Sequence, residues 1–96
     1  MQLLITYDVA TEDTAGARRL RRMAKACEAY GQRVQKSVFE CTLSPMQLEQ
    51  FRHRAEQIID ETKDSLRIYR LPPTRDQYLQ VLGKPLAYDI NEPLVL

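Results

Sequence analysis

Asp8 is the residue of this chain best placed to do chemistry. It directly follows an apolar run, residues 3–7, which has the composition of a buried strand. About ten residues later the chain becomes strongly basic, with Arg18, Arg19, Arg21, Arg22 and Lys25. A carboxylate at a strand end that faces a basic helix is a minimal set of groups for holding a metal ion against a phosphate.

On the residues alone, Asp8 has two interpretations. A carboxylate at this position can be solvated or can cap the following loop. It can also bind Mg²⁺, which takes one or two carboxylates together with substrate phosphates and waters. One aspartate per chain makes a sparse site, whereas a two-fold dimer would supply a second Asp8 in a shared cleft. The metal would then polarise a phosphodiester and activate water for in-line attack.

The positive charge of the chain is concentrated in one segment. Residues 17–36 hold seven basic residues and one acid, Glu28, for a net charge of +6, while the rest of the chain carries −5. A solvated charged face is the ordinary interpretation of such a run, but it lacks compensating acids. The segment therefore favours binding to a nucleic-acid phosphate backbone, without readout of base sequence.

Several other kinds of site are excluded by composition. His53 is the only histidine, and Ser37 has no recognisable triad partners. The chain has no zinc-binding cluster of cysteine and histidine and no glycine-rich phosphate loop. Cys27 and Cys41 are expected to be free, buried thiols, as in a reducing cytosol. The chain also has neither a signal peptide nor a membrane-spanning run, so we expect a cytoplasmic protein.

The hydrophobic periodicity predicts alternating strands and helices. The predicted segments are a strand at 2–9, a helix at 14–30, a bent strand or hairpin at 33–43, a helix from 45 to about 61 and a strand at 65–71. This order, βαββαβ, predicts an α+β fold of the ferredoxin-like sandwich type. In the first strand, Leu3, Ile5 and Tyr7 share one face, while Leu4, Thr6 and Asp8 share the other.

The helices carry recognisable core and end signals. The first should end at Gly31, as a C′ residue, and the second should begin with Ser44 as N-cap in a capping box. Tyr7 and Phe39 are expected to pack in the core. The predicted core stripe of the first helix is Leu20, Met23, Ala24, Cys27 and Tyr30.

The C-terminal extension, residues 73–96, is harder to interpret. Residues 78–82 are apolar enough for a short strand or a helical turn, and the chain ends in Leu94, Val95 and Leu96. An apolar terminus of a small domain must dock against something. Docking on the sheet edge of a second copy would give a domain-swapped dimer.

Several of these segments resemble the CRISPR-associated protein two family. The similarity is carried by the strand ending in Tyr-Asp-Val at 7–9, the basic run at 18–25 and Gly-Gln-Arg-Val-Gln-Lys-Ser-Val-Phe-Glu at 31–40. Residues 65–71 and 83–96 also match, so the resemblance covers nearly the whole chain.

The resemblance implies a fold, partners and two possible activities. It implies a ferredoxin-like homodimer, one domain overall, in which residues 1–72 form the sandwich and 73–96 supply a strand swapped onto the partner. It also implies a role in spacer acquisition together with the CRISPR-associated protein one integrase. Family members are described as metal-dependent endonucleases acting on RNA or DNA, so Mg²⁺ or another divalent cation is the expected cofactor. The alternative is a non-catalytic DNA-binding scaffold that bridges integrase subunits. An unrelated ferredoxin-like module that binds a small anion is a weaker possibility.

The resemblance also assigns roles to residues of this chain. Asp8 is the expected metal ligand and catalytic residue, and Tyr7 is expected to assist it. Ser37 and Phe39 are expected to support the site. The expected nucleic-acid-binding residues are Arg18, Arg19, Arg21, Arg22, Lys25 and Arg33, of which Arg18 or Arg19 and Arg33 assist cleavage.

Overall fold

The computed structural model shows a four-stranded antiparallel sheet with two helices, and it describes residues 1–84. The elements are β1 (Gln2–Asp8), α1 (Thr14–Tyr30), β2 (Gln32–Gln35), β3 (Val38–Thr42), α2 (Pro45–Ile58), β4 (Ser65–Leu71) and a 3₁₀ turn (Arg75–Gln77). The strand order is β2-β3-β1-β4. This arrangement confirms the predicted α+β, ferredoxin-like βαββαβ fold. In residues 1–84, neither helix is long and apolar enough to cross a membrane.

Both helices cover the same face of the sheet. In β1, Leu3, Ile5 and Tyr7 are buried in the core, whereas Asp8 is exposed. The core also takes Phe39 from β3, and the remaining buried residues come mainly from the two helices. Since successive strand residues point to opposite faces, the even-numbered residues of β1 lie on the face that neither helix covers. We call this the uncovered face; it carries Leu4, Thr6 and Asp8 of β1, Val38 of β3, and Arg67 and Tyr69 of β4.

Helix α1 has the predicted bounds. The side chain of Asp13 caps it by accepting a hydrogen bond of 2.7 Å from the backbone N–H of Gly16. Met23 and Cys27 are fully buried, as predicted, but Ala26 takes the third fully buried position rather than Ala24. Both alanines lie next to the buried stripe, and periodicity alone does not decide between them.

Gly31 ends α1 for a different reason from the predicted one. It is the C-cap, with an extended backbone (φ −159°), and its N–H donates to the carbonyl of Cys27 at 2.9 Å. A Cβ at this position would collide with the sulfur of Cys41 and the carbonyl of Glu40. Glycine is therefore required because β3 approaches closely, and not because the backbone is left-handed.

Helix α2 begins as predicted and ends earlier. The hydroxyl of Ser44 accepts from the N–H of Gln47 at 3.1 Å, and the Gln47 side chain accepts from the N–H of Ser44 at 2.9 Å. The helix ends at Ile58 rather than near residue 61, because the N–H of Asp60 donates to the carboxylate of Asp64 instead of continuing the helix.

The extension after β4 crosses the sheet. Residues 78–82 form neither of the predicted elements; the helical turn lies earlier, at Arg75–Gln77. Arg75 approaches Glu40 of β3 at 3.8 Å, near the end of the sheet opposite to Asp8. The predicted swapped strand and the docking of residues 94–96 lie outside the described residues, so they stay predictions.

Two buried thiols lie in this core. Cys27 and Cys41 are free and buried, as predicted. Burial raises the pKa of Cys27 to about 12 and that of Cys41 to about 11. Both thiols are therefore protonated near neutral pH and are poor nucleophiles.

Asp64 joins three segments at one end of the sheet. Its side chain is fully buried and accepts hydrogen bonds from Arg19 of α1 at 2.8 Å, from the N–H of Ala10 at 3.0 Å and from the N–H of Asp60 at 3.0 Å. Burial alone raises the pKa of Asp64, but these hydrogen bonds outweigh it and hold the pKa below its usual value. The carboxylate therefore stays ionised near neutral pH.

We expect Asp64→Asn to lower the free energy of unfolding by about 2 kcal/mol, because it removes the charge that pairs with Arg19 and leaves buried donors without an acceptor. Urea denaturation followed by circular dichroism measures the change. Glu61→Gln, an exposed acid in the same turn, is the matched control and should leave the midpoint unchanged. Equal midpoints for the two variants would show that the cluster around Asp64 adds nothing to stability.

The same cluster predicts a pH dependence. Because the folded pKa of Asp64 is lowered, its stabilisation is fully present above the unfolded carboxyl pKa of about 4 and is lost as pH falls through the folded value. Asp64→Asn should therefore weaken the acid-induced loss of stability in this range. Denaturation midpoints measured at several acidic pH values test this, and parallel curves for wild type and variant would contradict it.

Candidate functional site

Asp8 ends β1 on the uncovered face. It is exposed, and it lies opposite Ser65 in the β1–β4 ladder. Within residues 1–84 its side chain makes no hydrogen bond or ion pair, so both carboxylate oxygens are available to a ligand. No group of three or more acidic, histidine or cysteine residues in this part of the chain could hold a metal ion. Asp8 thus contributes one carboxylate to this face, without a complete set of ligands around it in residues 1–84.

Tyr7 is adjacent in sequence but points to the other side of the sheet. The residue is 6 % exposed, and its ring stacks on Phe39, with ring centroids 6.1 Å apart. Its hydroxyl donates to the carbonyl of Lys36 at 3.3 Å, and its backbone N–H donates to the carbonyl of Ser37 at 3.1 Å. Tyr7 thus holds the β2–β3 turn against the end of β1. Its catalytic role stays a prediction.

The pKa of Tyr7 reflects this environment. Burial raises the pKa, the nearby Cys27 raises it further, and Arg33 and Ser37 act in the opposite direction. The net effect is a raised pKa, so the phenol keeps its proton near neutral pH. It can donate a hydrogen bond but does not serve as a ready base.

The side chain of Arg33 contacts other residues of the chain but is not fully buried. Its guanidinium lies 5.2 Å from the centre of the Phe39 ring, a cation–π contact, and 3.4 Å from the carboxylate of Glu28. Its side chain is still 39 % exposed. Tyr7, Phe39 and Arg33 therefore form one stacked cluster next to the β2–β3 turn. The supporting role predicted for Phe39 and the nucleic-acid-binding role predicted for Arg33 stay predictions.

The basic residues of α1 divide into two groups. Arg18, Arg21, Arg22 and Lys25 are exposed, and no ion pair in residues 1–84 involves them. Arg19 differs, since its side chain is only 14 % exposed and its guanidinium is bound to Asp64 and lies 3.4 Å from the carbonyl of Ala10. Its guanidinium therefore stabilises the fold through these contacts, and the nucleic-acid-binding role predicted for Arg19 stays a prediction.

Asp8 and the basic side chains lie on opposite sides of the sheet. The sequence led us to expect the carboxylate to face the helix. Alternation along β1 instead places Asp8 on the uncovered face, while α1 packs on the other face. Within one chain, the predicted metal ligand and the predicted phosphate-binding surface are therefore separate.

Arg67 is the cation that sequence reasoning did not associate with Asp8. It lies opposite Thr6 in the β1–β4 ladder, two pairs further from the strand end than Asp8 and hence on the same face. It donates to the hydroxyl of Tyr69 at 3.1 Å, which raises its pKa. Alternation along β4 is enough to place Arg67 on the outward face, but only the strand register shows which residue it lies beside.

A family model described as CRISPR associated protein Cas2 matches residues 1–78. The chain belongs to this family. The match includes all the predicted site residues and all the strands and helices described above, and it confirms the resemblance found in the sequence.

Individual relatives match over the full length. The chain is 55 % identical over 96 residues to the "CRISPR-associated endoribonuclease Cas2 1" of Moorella thermoacetica, covering 100 % of both chains. It is 47 % identical over 95 residues to the "CRISPR-associated endonuclease Cas2" of Halalkalibacterium halodurans, covering 99 % of both. The crystal structure of Streptococcus pyogenes Cas2 at pH 6.5 superposes with a TM-score of 0.77 at 51 % identity, over 86 % of this chain and 100 % of that chain.

Two variants of Tyr7 separate its ring from its hydroxyl. Tyr7→Phe should lower the free energy of unfolding by about 1 kcal/mol or less, because it removes one long hydrogen bond and keeps the stack on Phe39. Tyr7→Ala should cost about 3 kcal/mol or more, because it leaves a cavity in the core. Chemical denaturation measures both. Equal losses would mean that the hydroxyl, rather than ring packing, holds the turn in place.

Proposed function

We propose that this chain is a homodimeric, Mg²⁺-dependent endonuclease that hydrolyses phosphodiester bonds in RNA or DNA as part of CRISPR spacer acquisition. The observation that carries the proposal is the carboxylate of Asp8, which is exposed on the uncovered face and has no partner among residues 1–84. Relatives that match the whole chain are called endonuclease and endoribonuclease, which supports the same activity.

The donor set fits a hard divalent cation when two copies are present. Mg²⁺ prefers carboxylate oxygen and keeps several waters, so two Asp8 side chains, one from each copy, suit it. When bound, the ion would polarise the scissile phosphate and supply an activated water. In this proposal Asp8 holds the ion, and Arg67 on the same face is available to a phosphate oxygen.

The uncovered face supports association with a second copy. It combines half-buried apolar residues, Leu4 and Val38, with the exposed ring of Tyr69. A symmetric contact through this face would bring the two Asp8 residues towards a common axis. The swapped C-terminal strand implied by the family would add to the same interface.

The other predicted site residues would bind the nucleic acid or hold the β2–β3 turn in position. The exposed cations of α1 would attract the nucleic-acid backbone. Tyr7, Phe39 and the backbone of Ser37 hold the β2–β3 turn beside the strand end, and Arg33 is stacked on them. None of these groups needs to exchange a proton for the proposal to hold.

Replacement of Asp8 tests the nuclease. Asp8→Asn should reduce Mg²⁺-dependent cleavage of RNA or DNA at least about 100-fold, because a neutral amide is a poor ligand for the ion. The fold and nucleic-acid binding should be preserved, since the side chain is exposed and lies away from α1. Cleavage is measured on labelled oligonucleotides, with and without a chelator.

Glu12→Gln is the matched control, since Glu12 is another exposed acid close to the end of β1. This variant should cleave like wild type. Cleavage that survives both Asp8→Asn and the chelator would overturn the proposed metal site.

A non-catalytic scaffold is the second candidate function. It is favoured by one observation, namely that the exposed cations of α1 lie on the opposite side of the sheet from Asp8. Such a surface can hold DNA between subunits of the CRISPR-associated protein one integrase without any chemistry at Asp8. In this role, the arginines of α1 are required for DNA binding, whereas Asp8 is not required.

Charge reversal on α1 tests the binding surface. Changing Arg18, Arg21 and Arg22 together to Glu should weaken duplex binding and reduce its salt dependence, by about one unit of slope for each phosphate that is no longer neutralised. Binding is measured by fluorescence anisotropy over a series of salt concentrations. Reversal of Lys63, Arg70 and Lys84, three exposed cations outside α1, gives the same charge change as a control. Equal weakening in both triple variants would mean that α1 is not the DNA surface.

A further inference from the structure

A basic cleft lies between the two helices on the outer side of the molecule. It is lined by Arg22 and Lys25 of α1 and by Arg54, Gln57 and Ile58 of α2, and it encloses about 280 Å³. The predicted binding surface involves α1 and Arg33 only. The cleft adds the neighbouring helix, through Arg54 and Gln57.

Helical spacing builds this cleft. Arg22 and Lys25 are three residues apart on α1, and Arg54 and Gln57 are three apart on α2, so each pair lies on one side of its helix. Ile58 is 6 % exposed and belongs to the core between the helices. The cleft therefore has an apolar side formed by the core and polar ends that point to solvent.

Within the described part of the chain, the positive charge of the cleft is not paired with acids. No ion pair in residues 1–84 involves Arg22, Lys25 or Arg54, and no acid lines the cleft. Arg52, two residues from Arg54, shows the contrast, because it lies 3.2 Å from Glu49 and 3.8 Å from Glu56. Three cations that converge without an acid make a favourable place for an anion.

The donors match the chemistry of phosphate. Guanidinium groups bind phosphate oxygens in a bidentate manner, and the lysine adds a further positive charge. Gln57 lies 3.1 Å from the ring of His53, so its amide is already oriented by a neighbour and can add a neutral donor. The volume of the cleft is ample for one phosphate group.

We propose that the cleft binds one phosphate of a nucleic-acid backbone, with Arg54 and Gln57 supplying the contacts from α2. This inference rests on the nucleic-acid binding proposed above and specifies one position on that surface. With this position, the proposed phosphate-binding surface extends from α1 to α2.

Arg54→Gln tests the site, and Arg52→Gln is its control on the same helix. Both remove one exposed charge, but only Arg54 lines the cleft. Arg54→Gln should weaken binding of duplex DNA or RNA by about 5- to 10-fold and lower the salt slope by about one, as expected when one phosphate is no longer neutralised. Arg52→Gln should stay within about 2-fold of wild type, since Arg52 is paired with acids. Thermal unfolding confirms that both variants are folded.

A titration with inorganic phosphate tests the cleft without nucleic acid. In ¹H–¹⁵N spectra of the full chain, phosphate should shift the side-chain amide of Gln57 and the backbone amides near Arg22 and Arg54, and Arg54→Gln should remove these shifts. Phosphate shifts confined to α1, or unchanged in Arg54→Gln, would overturn the cleft as a site.

The outcomes distinguish this inference from the proposed function. Suppose that Arg54→Gln binds nucleic acid as tightly as Arg52→Gln, while the α1 reversal abolishes binding. The proposed phosphate site in the cleft is then wrong, but the proposed binding surface on α1 is supported. If the wild-type chain binds neither RNA nor DNA, the proposed function is wrong. The phosphate bound in the cleft then cannot come from a nucleic-acid backbone. The phosphate titration then shows whether the cleft is a site for free phosphate.

Discussion

The buried carboxylate of Asp64 is the interaction on which the geometry of the site depends. It binds Arg19 of α1, the chain just after β1 and the N–H that follows α2, and it directly precedes β4. Four elements are thus joined at the end of the sheet that carries Asp8. A charge buried to this degree is tolerated only because its oxygens are satisfied by a guanidinium and two backbone donors. The position of Asp8 relative to α1 is therefore set by a residue that does not belong to the site.

The pleat of β1 imposes the second constraint. Successive side chains point to opposite faces, so Tyr7 must enter the core if Leu3 and Ile5 do, and Asp8 must then face outward. The same alternation on β4 places Arg67 beside Thr6 and on the same face as Asp8. A shift of register by one residue would exchange these faces and bury the carboxylate, which the core residues Leu3, Ile5 and Phe39 prevent. Core packing is thus what keeps Asp8 available.

Local signals predicted most of the fold, whereas contacts between distant segments were not predictable. The capping box at Ser44, the bounds of α1 and the faces of β1 depend on residues close in sequence, and they were right. Arg19 and Asp64 are 45 positions apart, and nothing in either segment indicates the pair. The burial of the Arg19 guanidinium follows from that pair, so it was missed. The early end of α2 follows from a different contact of Asp64, with the backbone N–H of Asp60, which hydrophobic periodicity does not indicate. Gly31 was predicted as a helix end, but the close approach of β3 that requires glycine is a tertiary contact.

The separation of Asp8 from the basic face bears on how the two candidate functions relate. If two copies associate through their uncovered faces, the Asp8 pair lies inside the dimer and the α1 surfaces lie on its outside. A nucleic acid held along α1 alone would then be too distant for a metal at the paired carboxylates, because the sheet and a helical layer lie between them. Cleavage would require the nucleic-acid strand to pass around the end of the sheet, where the β2–β3 turn, the start of α1 and Asp8 come together. Binding without cleavage needs no such path. In such a dimer, binding along α1 would need no access to Asp8, whereas cleavage would be limited to a substrate that reaches this one end of the sheet.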